Sequence, residues 1–189
     1  MMPMTSIRES TGLDVAALRD HFPALSRTID GRPVAYLDGP GGTQVPRETI
    51  AAMTAYLGRS NANHGGAFTA SVETDAILDE AHAAGADFLG AHDPAEIVFG
   101  PNMTTLAFAL ARSLATTWSP EDEVVVCRTE HDANFTPWVS YAETVGATVR
   151  YVDVHRHDGT LDLESLDSQL SHRTRFVAVG CAGNALGTV

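Results

Sequence analysis

From Pro94 onward, short apolar runs alternate with segments of helical period, and this alternation leaves little choice of fold. Glu96–Phe99, Glu123–Cys127, Thr148–Val152 and Thr174–Val179 read as strands. Between them, Asn102–Ala115 carries Leu106, Leu110 and Leu114 in line, and Asp132–Val145 and Leu161–Leu170 also read as helices. Pro137 must then lie in a first turn or two. The β-α-β-α-β order predicts an α/β fold, mainly a parallel sheet with right-handed crossovers and flanking helices. No helix follows the last strand and its loop before Val189. A sheet stopped there would expose apolar surface and a strand edge, so the sheet reads as truncated.

The chain before Pro94 is less regular. Leu13–Phe22 predicts a short helix, Asp30–Pro33 a turn and Val34–Leu37 a strand. Asp38–Thr43 is a glycine-rich loop, either a connector or a place where backbone comes close to a ligand. Pro46 suits the first turn of a helix through about Leu57. Gly58–Ala70 is polar and without period, the kind of long loop that is often functional. Ser71 is expected to cap a helix to Leu89 with Ile77, Ala81, Ala84 and Phe88 on one stripe. Residues 1–33 read as an N-terminal segment and 34–189 as a domain.

Charge and composition exclude several classes of partner. The net charge of −12 with no basic patch argues against nucleic acid. All 12 basic residues are arginines, so the 189 residues hold no ε-amine for a Schiff base. Cys127 and Cys181 end apolar runs and read as small buried residues; a disulfide between them has no support. The first twelve residues lack the apolar core of a signal peptide, and no run suits a bilayer span. These features predict a soluble, cytoplasmic protein. The scattered histidines suggest no metal site, and His155 and His157 read as part of a solvated turn.

Three polar loops follow predicted strands, where open α/β sheets place their ligands. Asn102-Met103-Thr104-Thr105 opens a helix, so its amides either hold an anion such as phosphate or are simply capped. Glu130-His131-Asp132-Ala133-Asn134 presents a histidine that could stack on a planar ligand, move a proton, or be structural. Glu130, Asp132 and Asn134 could orient its ring. Asn184 either donates to a ligand oxygen or closes an Asx turn. Three such loops suggest one shared site.

Together these stretches resemble the class V aminotransferase superfamily, and within it the cysteine desulfurase-like branch. The resemblance rests on Tyr36–Pro46, Asn61-Ala62-Asn63-His64-Gly65-Gly66, Ile97–Thr105, Glu130–Asn134 with Pro137-Trp138, and Asn184–Thr188. It implies the large domain of a fold type I, pyridoxal-phosphate-dependent transferase, with this chain its N-terminal part. It implies that the Met103 and Thr104 amides, with the Thr104 hydroxyl, hold the cofactor phosphate. His131 would stack over the ring and shuttle a proton, and Asn184 would bond the phenolic oxygen. Gly41 and Gly42 would border the substrate side. The implied reaction takes sulfur from cysteine and leaves alanine. The implied full-length enzyme is a homodimer acting on a small amino acid, with pyridoxal 5'-phosphate as cofactor; covalent attachment is impossible in a chain without lysine.

Departures from the family pattern keep other readings open. Gly65 and Phe68 stand where desulfurases often carry arginine and histidine. The family's ring-nitrogen aspartate, lysine, persulfide cysteine and substrate-carboxylate arginine match no residue here. The alternatives are another class V aminotransferase, lyase or epimerase acting on an amino acid, or a non-catalytic truncated binding or partner chain.

Overall fold

The computed structural model describes residues 12–189. They divide into two compact units, one running through Ile97 and one from Val98 to Val189.

In the first unit, helix α1 (Val15–Asp20) is capped by the Asp14 carboxylate, which accepts from the Ala17 amide at 3.0 Å. A hairpin pairs β1 (Thr28–Ile29) with β2 (Arg32–Pro33) about Asp30-Gly31. Both turn residues have positive φ, as the favoured two-residue hairpin turn requires. The turn at Asp30 thus forms as expected, but Val34–Leu37 is not a strand: it has no ladder partner among the described residues. Pro46 precedes α2 (Arg47–Arg59), and α3 (Thr69–Leu89) ends at Gly90.

The aperiodic loop between α2 and α3 is held along its length by the first turns of α3. The Ser71 hydroxyl donates to the Asn63 carbonyl at 2.6 Å and accepts from the Gly66 amide at 2.7 Å. Thr74 donates to the Ser60 carbonyl at 2.7 Å, and Asp75 accepts from the Gly65 amide at 3.0 Å. Arg59 reaches Glu73 at 2.8 Å. Ser71 is therefore not the cap of α3; Phe68 occupies that position, and Ser71 is fully buried inside the first turn. Ile77 and Phe88, expected on a core stripe, are exposed.

The second unit is a three-stranded parallel sheet in the order β4-β3-β5, from β3 (Glu123–Cys127), β4 (Thr148–Val152) and β5 (Thr174–Ala178). Helices α4 (Met103–Ala115) and α5 (Thr136–Val145) pack on one face with Val124, Val126 and Ala178. Val125, Cys127 and Val152 turn to the other face, with Leu166 of α6 (Leu163–Gln169). Alternate residues of one strand thus serve two cores, which is why β3 reads as an unbroken apolar run. Each fully buried valine contributes roughly 1.5–3 kcal/mol. Trp138 anchors the first core, its ring 4.1 Å from that of Phe176.

Two expectations fail here. Glu96–Phe99 is not a strand; Pro94–Glu96 form a 3-10 turn and the following residues run without a ladder. A strand exists only with a partner, and none pairs with it among the described residues. The predicted helix 132–145 is broken at Phe135, with a 3-10 turn over Asp132–Asn134 and α5 beginning at Thr136, so Pro137 sits in the first turn.

At the amino end of the sheet, the wholly buried Glu123 carboxylate meets Arg150 at 2.9 Å, the Ser171 hydroxyl at 2.8 Å and Arg173. Arg150's hydrogen bond, then that of Ser171, hold Glu123 far below the ordinary carboxylate value of 4.5, at about 2. Its neighbour Asp122 bonds Arg175 at 2.7 Å and is lowered chiefly by that guanidinium.

Candidate functional site

The carboxyl end of the same sheet holds a cavity of about 520 Å³. Its wall includes Met103, His131 and Asn184, one from each of the three loops singled out in the sequence.

Met103 opens α4. The preceding Asn102 carboxamide accepts from the Thr105 amide at 2.8 Å, so the capping reading holds. Capping satisfies only that one donor. The Met103 and Thr104 amides have no hydrogen-bond partner among the described residues, and they stand at the positive end of the helix. Thr104 itself does not line the cavity. It borders a smaller hollow with Thr105, Phe108, Arg112 and Tyr141.

His131 is exposed, at the entry to the 3-10 turn. Its Nδ1 accepts from the Ala133 amide at 3.0 Å, which leaves the proton of the neutral ring on Nε2. The loop's acidic residues do not orient the ring, contrary to expectation. Asp132 instead accepts from Thr136, and Glu130 accepts from Asn134 at 2.7 Å and from the Gly180 amide.

Asn184 lies in a turn closed by the Gly183 amide on Thr188 at 2.7 Å and the Gly187 amide on Gly183 at 2.8 Å. Its carboxamide has no hydrogen-bond partner among the described residues, so the Asx-turn reading fails. Cys127 is buried beneath the cavity, but Cys181 is exposed, because it lies beyond the end of β5; both thiols are free.

Gly41 ends and Gly42 caps an exposed 3-10 turn of the first unit, where a Cβ added at either would meet nothing within 4 Å among the described residues. His64, in the same unit, faces Asp75 at 3.7 Å. Sequence reasoning missed part of the cavity wall: Thr129, and Gly159-Thr160-Leu161 after β4. The rule that found the other loops applies to the Asp158-Gly159 turn too, since it also follows a parallel strand.

The arrangement offers an anion-binding helix start, an open carboxamide donor and an imidazole around one small-molecule-sized cavity. A cavity at the strand ends of a parallel α/β sheet lies where proteins of the open-sheet class place their ligands. Residues 35–189 match the family described as aminotransferase class-V, and the chain belongs to that family. A probable cysteine desulfurase of Streptomyces coelicolor is 33% identical over 183 residues, covering 93% of this chain and 44% of that protein. A cysteine desulfurase of Dickeya dadantii is 36% identical over 174 residues, covering 91% of this chain and 42% of its own length. In a solved cysteine desulfurase of Escherichia coli, in its S-sulfonic acid form, the fold matches with a TM-score of 0.73 at 27% identity. That match covers 89% of this chain and 41% of the other. The chain therefore spans less than half the length of these relatives.

Proposed function

We propose that the full-length protein is a pyridoxal-phosphate-dependent enzyme of the cysteine desulfurase kind. It acts on a small amino acid; with cysteine, the sulfur passes to an acceptor thiolate and alanine is left. The observation that carries this reading is the convergence of Met103, His131 and Asn184 on one cavity at the carboxyl ends of β3 and β5.

The residues present fit the cofactor. Its phosphate would meet the unpartnered Met103 and Thr104 amides, with the Thr104 hydroxyl beside them. The free Asn184 carboxamide would donate to a ring oxygen. His131, fixed through Nδ1 by the Ala133 amide, would lay its ring against the pyridine and hold or release a proton at Nε2. Gly41 and Gly42 would border the substrate side. When bound, the cofactor supplies an electron sink for carbanion chemistry at the substrate carbon. The same reading makes residues 34–189 the first part of the large domain, and the full-length protein a cytoplasmic homodimer.

The lack of any lysine favours a second reading for this chain taken alone: it binds the cofactor without attaching it covalently and turns over no substrate. Equilibrium dialysis against pyridoxal phosphate tests the site, and saturable binding at one equivalent per chain is expected. Incubation with cysteine should release no alanine from this chain, whereas the full-length protein should release it catalytically. Absence of saturable binding to either protein would end the proposal.

A further inference from the structure

The loops that carry His131 and Asn184 are joined through one carboxylate. Glu130 lies between them, on the cavity wall. One of its oxygens accepts from the Asn134 carboxamide nitrogen at 2.7 Å, and the other from the Gly180 amide. Asn134 is itself fixed, because the buried Trp138 Nε1–H donates to its oxygen at 2.9 Å. An indole nitrogen can only donate, so the Asn134 oxygen must face Trp138 and its NH₂ must face Glu130. The residue at position 130 therefore meets a donor on each side. A carboxylate supplies two acceptors; an amide supplies one acceptor and one donor. Packing presses from the Gly180 side as well, since a Cβ built there would lie 3.1 Å from both carboxylate oxygens.

We infer that Glu130 is a positioning residue of the site. Through the chain Trp138–Asn134–Glu130–Gly180, it sets the spacing between the His131 loop and the loop leading to Asn184. This rests on the cofactor reading above for its consequence, but not for its geometry. The polarity of the chain makes a specific demand. In Glu130→Gln the new NH₂ must confront either Asn134 or Gly180. In the double variant Glu130→Gln/Trp138→Phe, Asn134 is released from the indole and can turn over. Its oxygen then accepts from the introduced amide, whose own oxygen accepts from Gly180. A conservative loss should thus be repaired by a second substitution that touches neither the ligand nor Gly180.

The test pairs two measurements on the 189-residue chain: the Gly180 amide proton shift by NMR, and pyridoxal phosphate affinity by dialysis. In Glu130→Gln the Gly180 proton should move upfield and affinity should fall about tenfold, the scale of one charge-assisted hydrogen bond. The double variant should regain most of that affinity relative to Trp138→Phe alone. Gly180→Ala should shift the same loop from the opposite side. An unmoved Gly180 resonance in Glu130→Gln overturns the strut whatever the ligand does. A moved resonance with unchanged affinity, or no repair in the double variant, overturns the positioning role. If the unaltered chain binds no cofactor, the functional reading fails by itself, and the strut is decided by the resonance.

Discussion

The two ends of the three-stranded sheet solve opposite problems with the same kinds of side chain. At the amino end, Asp122 and Glu123 are buried and every polar atom is answered: Arg150, Arg173, Arg175 and two serine hydroxyls converge on two carboxylates. At the carboxyl end, donors remain open: the Met103 and Thr104 amides and the Asn184 carboxamide have no partner among the described residues. A saturated cluster can only hold the chain together. An end with organised but unspent donors can hold something else. The carboxylate on the cavity wall, Glu130, is spent on backbone and Asn134 rather than on arginine, so it shapes the cavity without neutralising its donors.

The largest expected effect lies in the core between the two ends. Trp138→Ala should cost about 3–5 kcal/mol of stability, read from a denaturant midpoint. A cost under about 1 kcal/mol would show that the core does not depend on its contact with Phe176. Next, Glu123→Gln should lower the melting temperature by several degrees and leave cofactor affinity per folded chain unchanged. A matching fall in affinity would erase the distinction between the ends. Smaller and more gradual is the pH effect. Glu123 sits below its ordinary 4.5, at about 2, because Arg150 and Ser171 bond its charged form. Its contribution is complete above pH 4.5 and is lost as pH falls through about 2. Acid titration of stability should therefore be shallower in Glu123→Gln than in the parent; parallel profiles would refute this. The smallest effect on the fold should come from His131→Phe. Stability should stay within about 0.5 kcal/mol, as for an exposed residue, while cofactor binding weakens. A large stability loss would move His131 from the site to the scaffold.

How much of this was legible in the sequence differs between the halves. Glu123–Cys127 and Thr148–Val152 fall on the ends drawn from the apolar runs, because each pairs with a neighbour inside the same 189 residues. Val34–Leu37 and Glu96–Phe99 are also largely apolar but find no ladder among the described residues, and composition cannot state who the partner is. Ser71 followed from a local rule for caps, yet its hydroxyl serves Asn63 and Gly66, a contact that only the folded loop creates. In the site, position was readable because strand ends in parallel sheets gather loops. Orientation was not. Which atom of His131 is engaged depends on where the local turn places the Ala133 amide, and that Glu130 reaches Gly180 rather than the imidazole depends on a contact between residues fifty apart.

That separation has a consequence during synthesis. The central strand β3 gains β4 within some 25 residues, but its other edge waits for β5, whose register runs from Glu123 opposite Thr174 to Val126 opposite Ala178. At roughly 5–20 residues per second, the valine-rich edge stays uncovered for several seconds after it leaves the ribosome. The arrival of β5 brings Arg173 to Glu123 at one end and Gly180 to Glu130 at the other. One late event thus locks the scaffold and completes the cavity, so a nascent chain stalled before Thr174 would possess neither and would offer its open edge to neighbouring chains.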